Sequence, residues 1–180
     1  HVAIKVMSQE LAQMSEALMR FEREAQALAQ LRSAHVVQVF DYGVQEGLPY
    51  IVMELLEGEN LTQRLRRVGR LNVPEAIVLF QQVCKGLKAA HNAGLVHRDL
   101  KPSNIFIARR DDAEVVKLLD FGVVKAIDTV GSSEATMSGM LLGTPQYMSP
   151  EQARALRDID HRSDLWSAAV IAFRMLTGQN

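Results

Sequence analysis

The 180-residue sequence predicts an α+β fold in two unequal parts: a small sheet with one helix, then a larger and mainly helical region. Two patterns carry that reading. Up to Leu55, alternating β-branched stretches bracket one long run of helix formers; after Leu55, apolar residues recur at helical spacing. Hydrophobic residues make up 48% and charged residues 23%, enough apolar material for the packed core of an ordinary globular domain.

The first stretch, "HVAIKVM", alternates and is β-branched, so it predicts a strand with Lys5 inside it. From Gln9 to about Arg32 there is neither Gly nor Pro. Leu11, Met14, Leu18, Phe21, Ala25, Leu28 and Leu31 form one helical stripe there. "HVVQVFDYGVQEGLPYIVMEL" predicts two strands with a turn near Gln45–Pro49, and "EGENLTQRL" a polar connection into a small helix. A longer helix should start near Pro74, a favoured first-turn residue, and end before Gly94. Its expected apolar stripe is Ile77, Phe80, Val83, Cys84, Leu87 and Ala90, which makes Cys84 a core residue. "IFIA" and "VVKLL" predict a hairpin around Arg109–Glu114, and the small polar residues 128–139 a loop. "DLWSAAVIAFRML" is apolar almost all round, the pattern of a helix buried on every side.

Several function classes drop out on composition. Twenty Lys and Arg against twenty-one Asp and Glu leave a net charge of −1, which favours neither a nucleic-acid nor a membrane surface. Cys84 is the only cysteine, so no internal disulfide can form, and a cytoplasmic setting is expected. The five histidines show no zinc-ligand spacing around it. The chain opens directly in a strand and stops on an apolar helix, so a fold truncated at both ends is expected.

Chemistry concentrates in "HRDLKPSN", residues 97–104, a charged loop between a helix and a strand. Further on, "LLDFG" brings Asp120 out of a strand. Asp99, Asp120 and the Asn104 amide are oxygen donors of the kind that hold Mg²⁺ together with phosphates. Asp99 and Lys101 suit a hydroxyl that loses its proton beside a phosphoryl group gaining charge. Lys5 offers a cation to phosphate oxygens, with Glu24 as the carboxylate expected to steady it. Phosphoryl transfer fits the whole set, because that reaction rests on positioning and charge neutralisation.

These motifs resemble the eukaryotic-type protein kinase family. "VAIK" is similar to its third-strand lysine motif, "REA" places Glu24 at its helix C glutamate, and "HRDLKPSN" matches the catalytic loop. "DFG" matches the metal-binding motif, and "GTPQYMSPE" the segment leading to the Ala-Pro-Glu triplet. Lys101-Pro102 and Gly143-Thr144 look like the Ser/Thr branch, and "DFGVVKA" and "GTPQYMSPEQARA" look like its bacterial members. The resemblance covers essentially all 180 residues in order.

The resemblance implies a two-lobed fold: 1–53 a partial N-lobe, 54–58 the hinge and 59–180 a partial C-lobe. It implies an ATP-dependent serine/threonine kinase using Mg²⁺ and acting on protein Ser and Thr hydroxyls, with a dimer for autophosphorylation. Asp99 would take the hydroxyl proton, Lys101 neutralise the γ-phosphate, Asn104 and Asp120 hold Mg²⁺, and Lys5 hold the α and β phosphates. Ala3 and Phe106 would sandwich the adenine, Met53 would be the gatekeeper, and Glu54 and Leu56 would offer backbone groups. His97, Phe121 and Leu28 would stack into a column footed by Asp164. Thr136 and Ser138 would carry activating phosphate, with Thr144 in the same regulatory segment and Arg98 as a receiving cation. The family's Gly-rich loop would precede His1. Its last helices would follow Asn180, one supplying an arginine for Glu151 and others covering Trp166, Val170, Phe173 and Leu176. The isolated segment is therefore expected to be poorly soluble and nearly inactive. The competing reading is a pseudokinase, a nucleotide-binding allosteric or scaffolding module. The retention of Lys5, Asp99, Asn104 and Asp120 argues against it.

Overall fold

The computed structural model describes residues 1–7, 15–110, 113–121, 145–156 and 158–179. Thr136, Ser138 and Thr144 lie outside the described residues. The first sheet comprises β1 (Val2–Val6), β2 (Val39–Gln45) and β3 (Leu48–Glu54), antiparallel, with β3 in the middle. β2 and β3 are joined by Glu46 and Gly47, with φ of 53° and 77°. Two left-handed residues in a two-residue loop match the twist of the flanking strands. The alternation expected of β1 is present: Ala3 and Lys5 are half-buried on one face, and Val2, Ile4 and Val6 are exposed on the other. Helix α1 (Ser15–Gln30) packs on this sheet through Phe21, Ala25 and Leu28, all within the predicted stripe.

A second antiparallel sheet has the order β4 (Gly58–Asn60), β5 (Ile105–Arg110), β6 (Ala113–Leu118). The sequence pattern predicts the β5–β6 hairpin but treats residues 57–60 as a plain connection. The chain instead pairs there as a short strand, because Gly58 fits where nothing larger can. Its φ is 144°, and a Cβ would lie 2.1 Å from the Ile107 carbonyl oxygen.

Helix α2 (Leu61–Val68) begins in a capping box, Asn60 Oδ1 accepting from the Gln63 amide and Gln63 Oε1 from the Asn60 amide. Its buried Arg64 binds Glu59 at 2.6 Å and Glu75 at 2.9 Å, and also Glu114, which ties α2 to the next helix and to β6. Helix α3 (Val73–Asn92) starts on an Asn72 cap with Pro74 in its first turn, as predicted. Its buried face matches the predicted stripe in part: Val83, Leu87 and Ala90 face inward and Phe80 is half-buried against the core, while Ala76, Leu79 and Gly86 take the other inner positions. Ile77 is half exposed and Cys84 is exposed, so Cys84 is not a core residue. Gly86 takes an inner position because the His35 carbonyl and Leu118 approach α3 too closely there for a larger residue.

After the second sheet, the described chain resumes with a 3-10 turn at Pro145–Tyr147, then α4 (Pro150–Ala153) and α5 (His161–Thr177). α5 is not buried on every side. Its inner face is Ser163, Asp164, Ser167, Ala168, Ile171 and Met175, while Trp166, Phe173 and Leu176 are exposed and Val170 is half-buried. The inward polar groups are satisfied by backbone, the Ser167 hydroxyl lying 2.6 Å from the Tyr147 carbonyl oxygen.

At Gly86 an added Cβ would lie 2.7 Å from the His35 carbonyl oxygen and 2.8 Å from Leu118 Cδ1. Alanine in a helix interior ordinarily gains up to about 1 kcal/mol over glycine. Here Gly86→Ala is expected to lose about 1–3 kcal/mol through overpacking, measured by chemical denaturation.

Candidate active site

The loop between α3 and β5 is held from below by α5. Asp164 Oδ2 accepts from the His97 amide at 2.8 Å and from His91 Nε2 at 2.8 Å; Asp164 Oδ1 accepts from the Arg98 amide at 2.9 Å. Presenting two successive amides to one carboxylate places Arg98 at φ 61°, in the left-handed region. His97 is fully buried and donates through Nε2 to the Leu119 carbonyl at 2.9 Å, while Nδ1 faces the Asp99 amide at 3.3 Å. That pair of contacts requires the neutral ring with its proton on Nε2. Burial pushes the His97 pKa down, partly opposed by Asp164 and Asp99. Phe121 stacks on His97 with ring centroids 4.6 Å apart, as expected of two members of the column, and Leu28 is buried in the same core.

Above this foundation, Asp99, Lys101 and Asn104 form one bonded unit. Lys101 Nζ lies 2.9 Å from Asp99 Oδ2, and Asn104 Nδ2 donates to the Asp99 carbonyl at 2.9 Å. The Leu119 amide donates to the Asn104 carbonyl at 2.9 Å, which brings Asp120 to the same end of the loop. Asp120 has φ 51° and its carboxylate lies 2.6 Å from Lys5 Nζ. The backbone bond from Leu119 to Asn104 and the ring bond from His97 to Leu119 therefore close the loop and the Asp120 turn into one body. Lys5, Asp99, Lys101, Asn104 and Asp120 are all among the residues predicted from the sequence.

One predicted pair is not formed. Glu24 does not steady Lys5; its carboxylate lies 3.7 Å from the Arg98 guanidinium, and Lys5 pairs with Asp120 instead. Burial pushes the Glu24 pKa up, against the pull of Arg98. Arg98 Nε is buried and has no hydrogen-bond partner among the described residues.

Ala3 and Met53 are register partners across β1 and β3, and Phe106 lies on β5 opposite Asn60 and Lys117. Leu56 is half-buried in the segment that joins the two sheets. Glu54 Oε1 accepts from Lys117 Nζ at 2.6 Å and from the Gln38 amide at 2.8 Å. Its side chain is thus committed to holding that segment. Lys117 was missed by sequence reasoning, and its only signal was a lysine inside an otherwise apolar strand. A cavity of about 30 Å³ lies between Lys5, Leu28, Met53, Asp120 and Phe121.

Among the described residues no group of three or more His, Cys, Asp or Glu side chains could hold a metal by itself. Asp120 and the Asn104 amide oxygen are a partial donor set of the kind that suits a hard cation completed by phosphate and water. Asn104 spends its nitrogen on Asp99, which reserves the oxygen end for such a cation.

The model of the protein kinase domain matches residues 1–180. The chain belongs to the protein kinase family. It is 41% identical to serine/threonine-protein kinase pkn3 of Myxococcus xanthus, covering 98% of this chain and 33% of that protein. It is 44% identical to PknL of Mycobacterium tuberculosis, covering 98% of this chain and 43% of that protein. Among solved structures, the PknI kinase domain of Mycobacterium tuberculosis superposes with a TM-score of 0.78 at 28% identity, covering 98% of this chain and 64% of that one. The chain thus spans less than half the length of these two named relatives. The family uses ATP and a divalent metal, and the two-lobed α+β architecture expected from the sequence is that of the kinase fold.

Because the folded pKa of His97 lies below its ordinary 6.5, the neutral ring's contribution to stability is complete above that value. It is lost as pH falls from 6.5 through the folded pKa. Urea unfolding at about pH 7.5 and about pH 5.5 should show this kinase domain weaker in acid, with His97→Phe less stable at neutral pH but flatter between the two.

Proposed function

We propose that the protein transfers the γ-phosphate of ATP to Ser and Thr hydroxyls of protein substrates. The observation that carries this reading is the single bonded unit of Asp99, Lys101 and Asn104, joined through Leu119 to the Asp120 turn that Lys5 contacts. In the reaction, the substrate oxygen bonds to the γ-phosphorus as the bond from that phosphorus to the bridging oxygen of ADP breaks. Asp99 receives the hydroxyl proton, and Lys101, already beside it, neutralises charge on the transferred group. Asn104 and Asp120 would hold Mg²⁺, which supplies charge neutralisation on the phosphates. Lys5 exchanges Asp120 for phosphate oxygens. Ala3, Met53, Phe106 and Leu56 form the adenine side, with residues 54–58 as the hinge and Glu54 contributing its backbone.

Regulation by phosphorylation of Thr136 and Ser138, with Thr144 in the same segment, belongs to this reading. Arg98, whose Nε has no hydrogen-bond partner among the described residues, would be the cation that receives such a phosphate. No helix among the described residues is long and apolar enough to cross a membrane, and we assign the catalytic segment to the cytoplasm. Autophosphorylation between two copies is part of the proposal.

Two measurements test it. Full-length protein should transfer label from γ-labelled ATP to a Ser/Thr protein acceptor, and Asp99→Asn should lower turnover by about three orders of magnitude or more. Equal turnover in the two proteins refutes the assignment of Asp99. Mass spectrometry of the active protein should find phosphate on Thr136 or Ser138; neither site modified would remove the regulatory part.

A further inference from the structure

Helix α4 is a single turn, yet one of its side chains serves two structures at once. Gln152 stands at the third helical position. Its Oε1 accepts from the Ser149 amide at 3.1 Å, and its own amide faces Ser149 Oγ at 3.4 Å, which completes a capping box. Its Nε2 donates in the opposite direction, to the Arg98 carbonyl oxygen at 2.7 Å.

That carbonyl belongs to the peptide group joining Arg98 to Asp99. The same group's N–H, on Asp99, donates to the His97 carbonyl at 2.8 Å. A peptide group is planar, so holding its oxygen and its hydrogen fixes the plane and thereby the direction in which Asp99 leaves the backbone. Arg98 is in the left-handed region, which is disfavoured for a residue with a Cβ and is held here by contacts on both sides. Asp164 supplies those contacts on the amide side of Arg98 and Gln152 supplies one on the carbonyl side.

Residue chemistry explains why an amide stands here. A glutamate at this position would cap equally well and would suit the positive end of the helix better. A carboxylate cannot donate, however, so only glutamine can close the cap and hold a carbonyl simultaneously.

We propose that Gln152 is a positioning residue for the phosphoryl transfer assigned above, its Nε2–H holding the Arg98–Asp99 peptide so that Asp99 faces the substrate hydroxyl. The inference rests on the proposed kinase activity. It adds a physical link from α4 to the orientation of the proton acceptor.

Two variants of the full-length protein separate positioning from capping. Gln152→Glu keeps the cap and loses the donor. Ser149→Ala removes the hydroxyl cap but keeps the backbone amide that binds Gln152 Oε1. With dephosphorylated casein as acceptor, Gln152→Glu should lower kcat by about 10- to 100-fold with KM for ATP within about two-fold. Its melting temperature should stay within about 2 °C of the unmodified protein. Ser149→Ala should do the reverse, melting earlier with kcat within about two-fold. Hydrogen exchange at the Asp99 amide, read without turnover, should be faster in Gln152→Glu alone. Unchanged kcat or unchanged exchange in Gln152→Glu overturns the proposal. Should the unmodified protein transfer no phosphate, the kinase reading fails, and the exchange comparison still decides whether Gln152 orders the loop.

Discussion

Asp164 accepts three hydrogen bonds at a depth where only 1% of the residue remains exposed. Two of the donors are successive backbone amides, and the third is a histidine ring from α3. A carboxylate buried without partners is disfavoured by several kcal/mol, whereas hydrogen bonds to a charged acceptor contribute roughly 1.5–3 kcal/mol each. Against that gain stands the left-handed conformation of Arg98, which costs roughly 1–2 kcal/mol. The bonds win, so the strained conformation is the stable one. Asp164 also lies in the first turn of α5, where the helix dipole favours negative charge. One side chain thus ties α3, α5 and the catalytic loop together, and His97 carries the constraint on to Leu119 and the Asp120 turn.

The charges above this foundation are held much more loosely. Lys5 and Asp120 are 38% and 43% exposed, and exposed ion pairs contribute about 0–1 kcal/mol. Glu24 and Arg98 approach only to 3.7 Å. Neither pairing can resist a ligand that brings several negative charges and a divalent cation. The arrangement neutralises two acids with two bases, and exchange of partners requires little work. The contrast with Asp164 is one of burial: the same charge types are fixed where water is excluded and exchangeable where it is not.

Much of this was legible in the sequence because the residues concerned act through their own side-chain chemistry. The succession of elements up to Leu55, the α1 stripe and the gathering of Lys5, Asp99, Lys101, Asn104 and Asp120 follow from residue type and spacing, and the His97–Phe121 stack from the family resemblance. What was not legible depends on how close two elements come. The inner face of α3 was legible at Val83, Leu87 and Ala90 but not at Gly86, where hydrophobicity favours Cys84 whereas the close approach of His35 and Leu118 selects glycine. On α5 the exposure of Trp166, Phe173 and Leu176 was expected, but the inner face was not legible, because Ser163, Asp164 and Ser167 look polar until the groups that satisfy them are in place. Lys117 and Gln152 share this property. Their partners, Glu54 and the Arg98 carbonyl, lie 63 and 54 residues away in sequence, beyond the reach of any local pattern. The Lys5–Glu24 pair failed differently, since both residues sit on the expected elements and only the choice of partner differs.

Holding and acting are divided between different atoms in this site. The holding contacts use backbone amides and carbonyls at one end, as at His97, Arg98, Asn104 and Leu119, and their side-chain partners His97 and Asp164 are essentially inaccessible. The side chains assigned to chemistry keep between 18% and 43% exposure at Asp99, Lys101, Lys5 and Asp120. A group that must meet a substrate cannot be sealed, and one that must fix direction cannot be wet, because water would compete for its hydrogen bonds. Substitutions should therefore sort by depth: those at the sealed level alter stability first, and those at the open level alter turnover first. Gln152 stands between the levels, half-buried and donating to backbone, which is why a change of one atom type there can separate the two effects.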